Sequence, residues 1–319
     1  MSESPLLDTL DRLRTRFGWP VVVANVVGQI GIVVTGGAVR LTGSGLGCST
    51  WPECEPGSFT PQIHSAMAIN PLIEFGNRTL TGLLLLISIP LVLLVASDRS
   101  RPRSYRWLGA APLLLVLAQA VLGGIIVIFD LNPAFVALHL LISMTLVALS
   151  TWLMFRFREG DVPPVSLVDP ATRTLVRVLV ALTAVVLALG VVVTGAGPHS
   201  GDDEVGYRFA VDPFVMAKVH AAAVWAFLAV LVVIVVRLRR AGADGRLWRT
   251  ALLLVAVTLG QGLIGYVQLY TGLPIGLVNL HMLGAALLTA GVASFVFATR
   301  TRGPAAVTAA DARAVTEAV

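Results

Sequence analysis

Eight stretches of the chain are apolar almost without a break, at about residues 20–40, 72–97, 107–128, 133–155, 175–196, 213–236, 250–270 and 274–298. A helix needs roughly 20 mostly apolar residues to cross a bilayer, so the pattern predicts an all-α membrane protein with eight transmembrane helices. The first stretch is too long, and too plainly followed by seven more, to be a cleaved signal peptide. Polar residues gather between the stretches and at the ends. They mark residues 1–16 and 301–319 as polar tails and 159–173 as a linker, leaving one four-helix half at 17–158 and another at 174–300.

Composition sharpens this picture. The chain is 56% hydrophobic and 13% charged, with a mean hydropathy of +0.85, whereas an ordinary soluble domain is about a quarter charged. Of its 23 cationic residues, all but four lie in the N-terminal tail, around 99–106, at 156–177, at 237–249 or from residue 300 onward. Those places share one side of the membrane. The positive-inside rule makes that side cytoplasmic, with both termini on it. The net charge of +5 then reflects topology in the bilayer, and no nucleic-acid partner is expected. Arg40, Arg78, Arg208 and Lys218 are the exceptions, at or near the outer ends of helices.

The chain also repeats itself. "QAVLGG" from Gln119 leads by 20 residues to His139, and "QGLIGY" from Gln261 leads by the same 20 to His281. "VRLTGSG" from Val39 resembles "VVVTGAG" from Val191, an offset of 152 residues. Each half has an even number of spans, so the two predict pseudo-symmetric four-helix bundles related by an axis along the membrane normal.

Three of the five histidines, His139, His220 and His281, fall inside apolar helices, one to two turns from the outer surface. An ionisable side chain at that depth points to function, although it also serves for hydrogen bonding across helices. His220 and His281 lie on different helices at matched depth, the geometry for two axial imidazoles holding one heme inside a four-helix bundle. Zinc would need three or four ligands at shorter spacing. The position in the first half that corresponds to His220 is Asn77, at an offset of 143 residues. Asn77 belongs to "PLIEFGNRTL", where Glu74 and Asn77, three apart, share one helix face with Arg78 beside it. Asn70 and Pro71 read as the cap and first turn of that helix.

These motifs together resemble the heme A synthase family across all eight spans: "LTGSGLGCSTWPEC" after the first helix, Glu74 and Arg78 at the start of the second, "GAGPHSGD" after the fifth, and the His-bearing helices 4, 6 and 8. The resemblance implies an oxidoreductase that converts a methyl group of heme O into the formyl group of heme A for terminal oxidases. It implies heme b in the C-terminal half, heme O as substrate in the N-terminal half and an essential Glu on helix 2, here Glu74. One departure is that the family commonly has His where this chain has Asn77. His139, Asn77, Arg78 and Arg40 are then candidate substrate contacts, and His220 and His281 candidate axial ligands of heme b. Arg208 and Lys218 are candidate propionate partners; the plainer role for Glu74 is an i,i+4 pair with Arg78, and for the stray cations interfacial snorkelling.

Cys48 and Cys54 lie in the first outer loop, and an oxidising outer face favours a disulfide between them. Two roles stay open: a staple ordering a lid over the substrate bundle, or a redox pair in electron or heme handling. Trp51 and Pro52 stiffen the same loop, and His64 and His199 occupy outer loops. The expected setting is a bacterial cell membrane, with heme O synthase, terminal oxidase assembly factors and an electron donor or acceptor as partners. A di-heme cytochrome b-like carrier or quinone oxidoreductase would want four ligands where three exist, and a transporter would not need matched histidines.

Overall fold

A computed structural model describes residues 5–61, 69–199, 201–202 and 204–303. They form helices α1 (Pro5–Leu41), α2 (Asn70–Leu91, closing in a π-helical turn Val92–Ala96), α3 (Arg103–Ile128), α4 (Pro133–Arg158), α5 (Pro170–Ala196), α6 (Pro213–Arg240), α7 (Gly245–Tyr270) and α8 (Ile275–Ala298). All eight are long and apolar enough to cross a membrane. Two short strands, β1 (Val165–Ser166) and β2 (Arg300–Thr301), pair antiparallel and tie the α4–α5 linker to the end of α8. His64 lies outside the described residues, as does the tail from residue 304.

Local chemistry sets the helix starts. Asn132, Asp169, Asp212 and Asp244 each accept a hydrogen bond from an amide in the first turn of the helix that follows, and Pro occupies the first position in three of these, where its missing N–H costs nothing. The Asp169 carboxyl, outside the span, is drawn down to about 2 by the Thr172 hydroxyl and amide and by Arg237. α2 departs from the expected start: Ile69 precedes it without a side-chain cap, and Asn70 instead donates its amide to the Gly43 carbonyl of the first outer loop. Residues 5–16, read as part of a tail, continue α1. Arg14 explains why, pairing with Asp11 one turn back and donating to the Leu94 carbonyl of α2 at 2.6 Å.

Packing divides the helices into two groups. Within the first, α1 packs on α2, α2 on α3, α3 on α4, and α4 back on α1; α5 to α8 close the same ring. Diagonal partners stay apart: neither α2 and α4 nor α6 and α8 bring Cα atoms within 8 Å among the described residues. Val176, Leu179, Phe227, Leu231, Leu254 and Phe295 fill the α5–α8 core. The first group has its own clusters, around Val22, Leu91 and Leu153 and around Leu84, Val116 and Leu146. A seam of Val33, Met144, Val147 and Ala286 joins the groups through α1, α4 and α8. In lipid, such contacts rest on van der Waals fit, which favours small residues at close approaches.

Candidate functional site

The first outer loop folds down onto α2. Cys48 and Cys54 form a disulfide and are both fully buried. Gly47 allows the approach: a Cβ there would lie 2.7 Å from the Asn70 carbonyl carbon. Trp51 reaches across to α3, where Gly124 makes room, since a Cβ at that position would fall 2.5 Å from the indole.

Glu74 and Arg78 hold this loop as a clamp. The Arg78 guanidinium donates to Glu74 Oε1 at 2.6 and 3.1 Å and to the carbonyls of Thr50 at 2.9 Å and Glu53 at 3.2 Å. Glu74 Oε2 accepts the Cys48 amide at 2.6 Å. The i,i+4 pair expected from the sequence is thus present, and it also fastens a segment more than 20 residues away.

Beneath the loop a cavity of about 450 Å³ opens between the diagonal helices α2 and α4, within the roughly 300–1,000 Å³ range of small-molecule sites. Its wall brings together Glu74, Asn77, Arg78, His139 and Arg40, with Trp51 and Pro52 at the loop side. Much of the remaining lining is apolar. Asn77 Oδ1 accepts the Thr35 hydroxyl at 2.8 Å. Arg40 donates to the carbonyls of Thr194 at 2.6 Å and His199 at 2.8 Å, fastening α1 to the end of α5 and the loop that follows it. Met282 of α8 lines the same cavity, its sulfur packed against Gly37 of α1.

His220 and His281 belong to the second group, on diagonal helices α6 and α8. His220 Nδ1 faces the Val186 carbonyl at 3.1 Å. That contact favours the tautomer with a proton on Nδ1 and leaves the Nε2 lone pair free, the arrangement metal-ligating imidazoles use. Gly190 and Gly265 leave space beside the rings, a Cβ at either approaching Cε1 of His220 or His281 to 3.3 Å. Nδ1 of His281 and of His139 is buried without a hydrogen-bond partner among the described residues.

Arg208 and Lys218, the candidate propionate partners, and the loop residue His199 have local duties. Arg208 donates to the carbonyls of Gly197, Pro198, Val205 and Tyr207, stapling its own loop. The Lys218 ammonium sits 4.5 Å from the Phe214 ring centre. His199 Nε2 meets the Leu273 carbonyl at 3.1 Å. Among the described residues no group of three or more His, Cys, Asp or Glu side chains is set to hold a free metal ion.

Sequence reasoning missed the glutamines. Gln119 Nε2 donates to the His139 carbonyl and Gln261 Nε2 to the His281 carbonyl, each at 2.9 Å across 20 residues. The signal was the pair of "Q…GG" and "Q…GY" segments themselves, whose spacing marks the repeat while their chemistry ties one helix to the next. The turns after them match as well: Asp130 and Leu131 have φ of 47° and 57°, and Gly272 and Leu273 have φ of 79° and 59°.

Residues 19–199, more than half of the chain, match the COX15-CtaA family, described as cytochrome oxidase assembly protein. Among curated relatives, a heme A synthase of Alkalihalophilus pseudofirmus is 32% identical over 143 residues, covering 43% of this chain and 47% of that protein. A heme A synthase of Bacillus pumilus is 35% identical over 136 residues, covering 41% and 43%. A third, of Lysinibacillus sphaericus, is 31% identical over 141 residues, covering 42% and 43%. The chain therefore spans slightly less than half the length of each of these relatives.

Proposed function

Because the chain belongs to the COX15-CtaA family of cytochrome oxidase assembly proteins, we propose that it acts as a heme A synthase, oxidising a methyl group of heme O to the formyl group of heme A. The observation that carries the proposal is the cavity between α2 and α4, whose wall presents an imidazole, a carboxylate and two guanidiniums to one space. His139 binds the substrate iron. Glu74, held between Arg78 and the Cys48 amide, sets a fixed negative charge beside the reacting carbon, where it stabilises positive charge and accepts protons. Arg40 receives a propionate, and the disulfide loop covers the site and limits water.

Taking a methyl to a formyl removes four electrons and adds one oxygen atom, redox work that side chains do not perform alone. His220 and His281 would hold a heme b, which would carry those four electrons one at a time to an external electron acceptor. The free Nε2 of His220 and the glycine clearances beside both rings support that assignment. The repeated glutamine bonds and turns support two pseudo-symmetric halves, 17–158 for substrate and 174–300 for cofactor. Positive-inside charge supports cytoplasmic termini in a bacterial cell membrane, with heme O synthase upstream and oxidase assembly factors downstream.

The test is pigment analysis. Co-expressed with a heme O source, the protein should yield a formylated heme, and His220→Ala or His281→Ala should abolish the low-spin heme b spectrum. Two permanently bound hemes with no formylated product would instead identify an electron carrier.

A further inference from the structure

Resting on the proposed heme site, we infer that the first cavity holds its heme through His139 alone and keeps the sixth iron position for a small exogenous molecule, steadied by the Asn77 amide. The binding class is a water- or diatomic-sized ligand. Asn77 on α2 stands in the chain repeat where His220 stands on α6, and it lines the cavity that also contains His139.

The two ends of the carboxamide differ. Its oxygen is engaged by the Thr35 hydroxyl at 2.8 Å, a closer contact than the same hydroxyl makes with the Ile32 carbonyl at 3.3 Å. What remains is the NH2 end, which has two donors and no lone pair free for a metal. Asn77 therefore does not ligate iron. It can donate a hydrogen bond to something that iron has bound, and distal donors of this kind decide what a heme binds.

Other groups on the wall do not fill the position. Glu74 is committed to Arg78 and the Cys48 amide. Thr81 donates to the Asn77 carbonyl. Met282 is the remaining side chain of ligating type, and its sulfur is seated against Gly37 at the seam between the two helix groups. A five-coordinate heme whose loop-covered distal side faces the Asn77 NH2 group is the arrangement that results.

The experiment uses the purified full chain titrated with ferric protoporphyrin IX. The expected result is an added high-spin heme that depends on His139, takes cyanide when ferric and carbon monoxide when ferrous. Asn77→His should turn it low-spin and cut carbon monoxide binding at least tenfold. Asn77→Leu should keep it high-spin and raise the carbon–oxygen stretching frequency, because the N–H donor is gone. Thr35→Val, which leaves Asn77 in place, should shift that frequency by releasing the amide. A His139-dependent heme that is low-spin in the wild type, with a His/Met or other six-coordinate spectrum, overturns this inference and leaves the proposed function standing. An identical stretching frequency in the wild type, Asn77→Leu and Thr35→Val does the same. No added heme, or an added heme indifferent to His139→Ala, overturns both.

Discussion

Arg78→Met isolates the clamp over the cavity. The substitution keeps much of the apolar stem and deletes the guanidinium's bonds to Glu74 and to the carbonyls of Thr50 and Glu53. The Glu74 side chain, only 7% exposed, is left with the Cys48 amide as its one partner. Stranding one member of a buried pair costs about 3–5 kcal/mol; with the Arg78 side chain 21% exposed, the lower end of that range applies. Glu74→Gln is milder. It leaves Arg78 on its loop carbonyls, but the Gln amide keeps a single acceptor oxygen, so either the Arg78 bond or the Cys48 amide bond to this side chain is lost, at about 1.5–3 kcal/mol. In the double variant neither charge is stranded, so the cycle should show a coupling of about 1.5–3 kcal/mol. Unfolding in mild detergent measures these differences, and proteolysis of the loop from residue 48 to 61 should be faster in Arg78→Met than in wild type. Additivity within about 0.5 kcal/mol, or a loop equally resistant in Arg78→Met, would refute the clamp. Heme A yield then separates the two duties of Glu74. Glu74→Gln should stop product formation with its loop still protected, whereas Arg78→Met, which keeps the carboxylate, should still form product despite faster cleavage of the loop.

The disulfide closes a short loop, so Cys48→Ser, Cys54→Ser and the pair together should each cost about 2 kcal/mol and leave partial heme A formation. A complete block with the loop still protected would point to redox participation in place of a staple. Gly124→Ala, whose Cβ would lie 2.5 Å from the Trp51 indole, should lift the loop and cost about 1–3 kcal/mol by overpacking. Gly76→Ala, with nothing within 4 Å, should be neutral or gain up to about 1 kcal/mol from helix propensity; similar stabilities and proteolysis for the two would mean the indole is not seated there.

The eight spans were legible because lipid tolerates only long apolar runs, and the pair Glu74–Arg78 because i,i+4 spacing is local. The docking of that pair onto Cys48, Thr50 and Glu53 was not legible: it depends on where a loop lands, which no periodicity encodes. The helical continuation of α1 through residues 5–16 was hidden by its charges, which read as a solvated tail until Arg14 is seen reaching the end of α2. Asp130 and Leu131 hid their left-handed turn for a different reason. Neither is the glycine that such a backbone favours, whereas Gly272 announces its counterpart openly. Met282 carried no signal at all, since one methionine in an apolar helix is ordinary.

His281 and Met282 are consecutive residues of α8, yet one belongs to the second helix group's imidazole pair and the other lines the first group's cavity. Successive side chains on a helix point about 100° apart, so a single peptide unit serves two chambers. α8 is thus a party wall, packed against α1 and α4 of the first group as well as α5 and α7 of its own. A rotation of this helix that widened the first cavity would also move His281, so substitutions along α8 chosen to reshape that cavity should register at the second group's imidazoles as well.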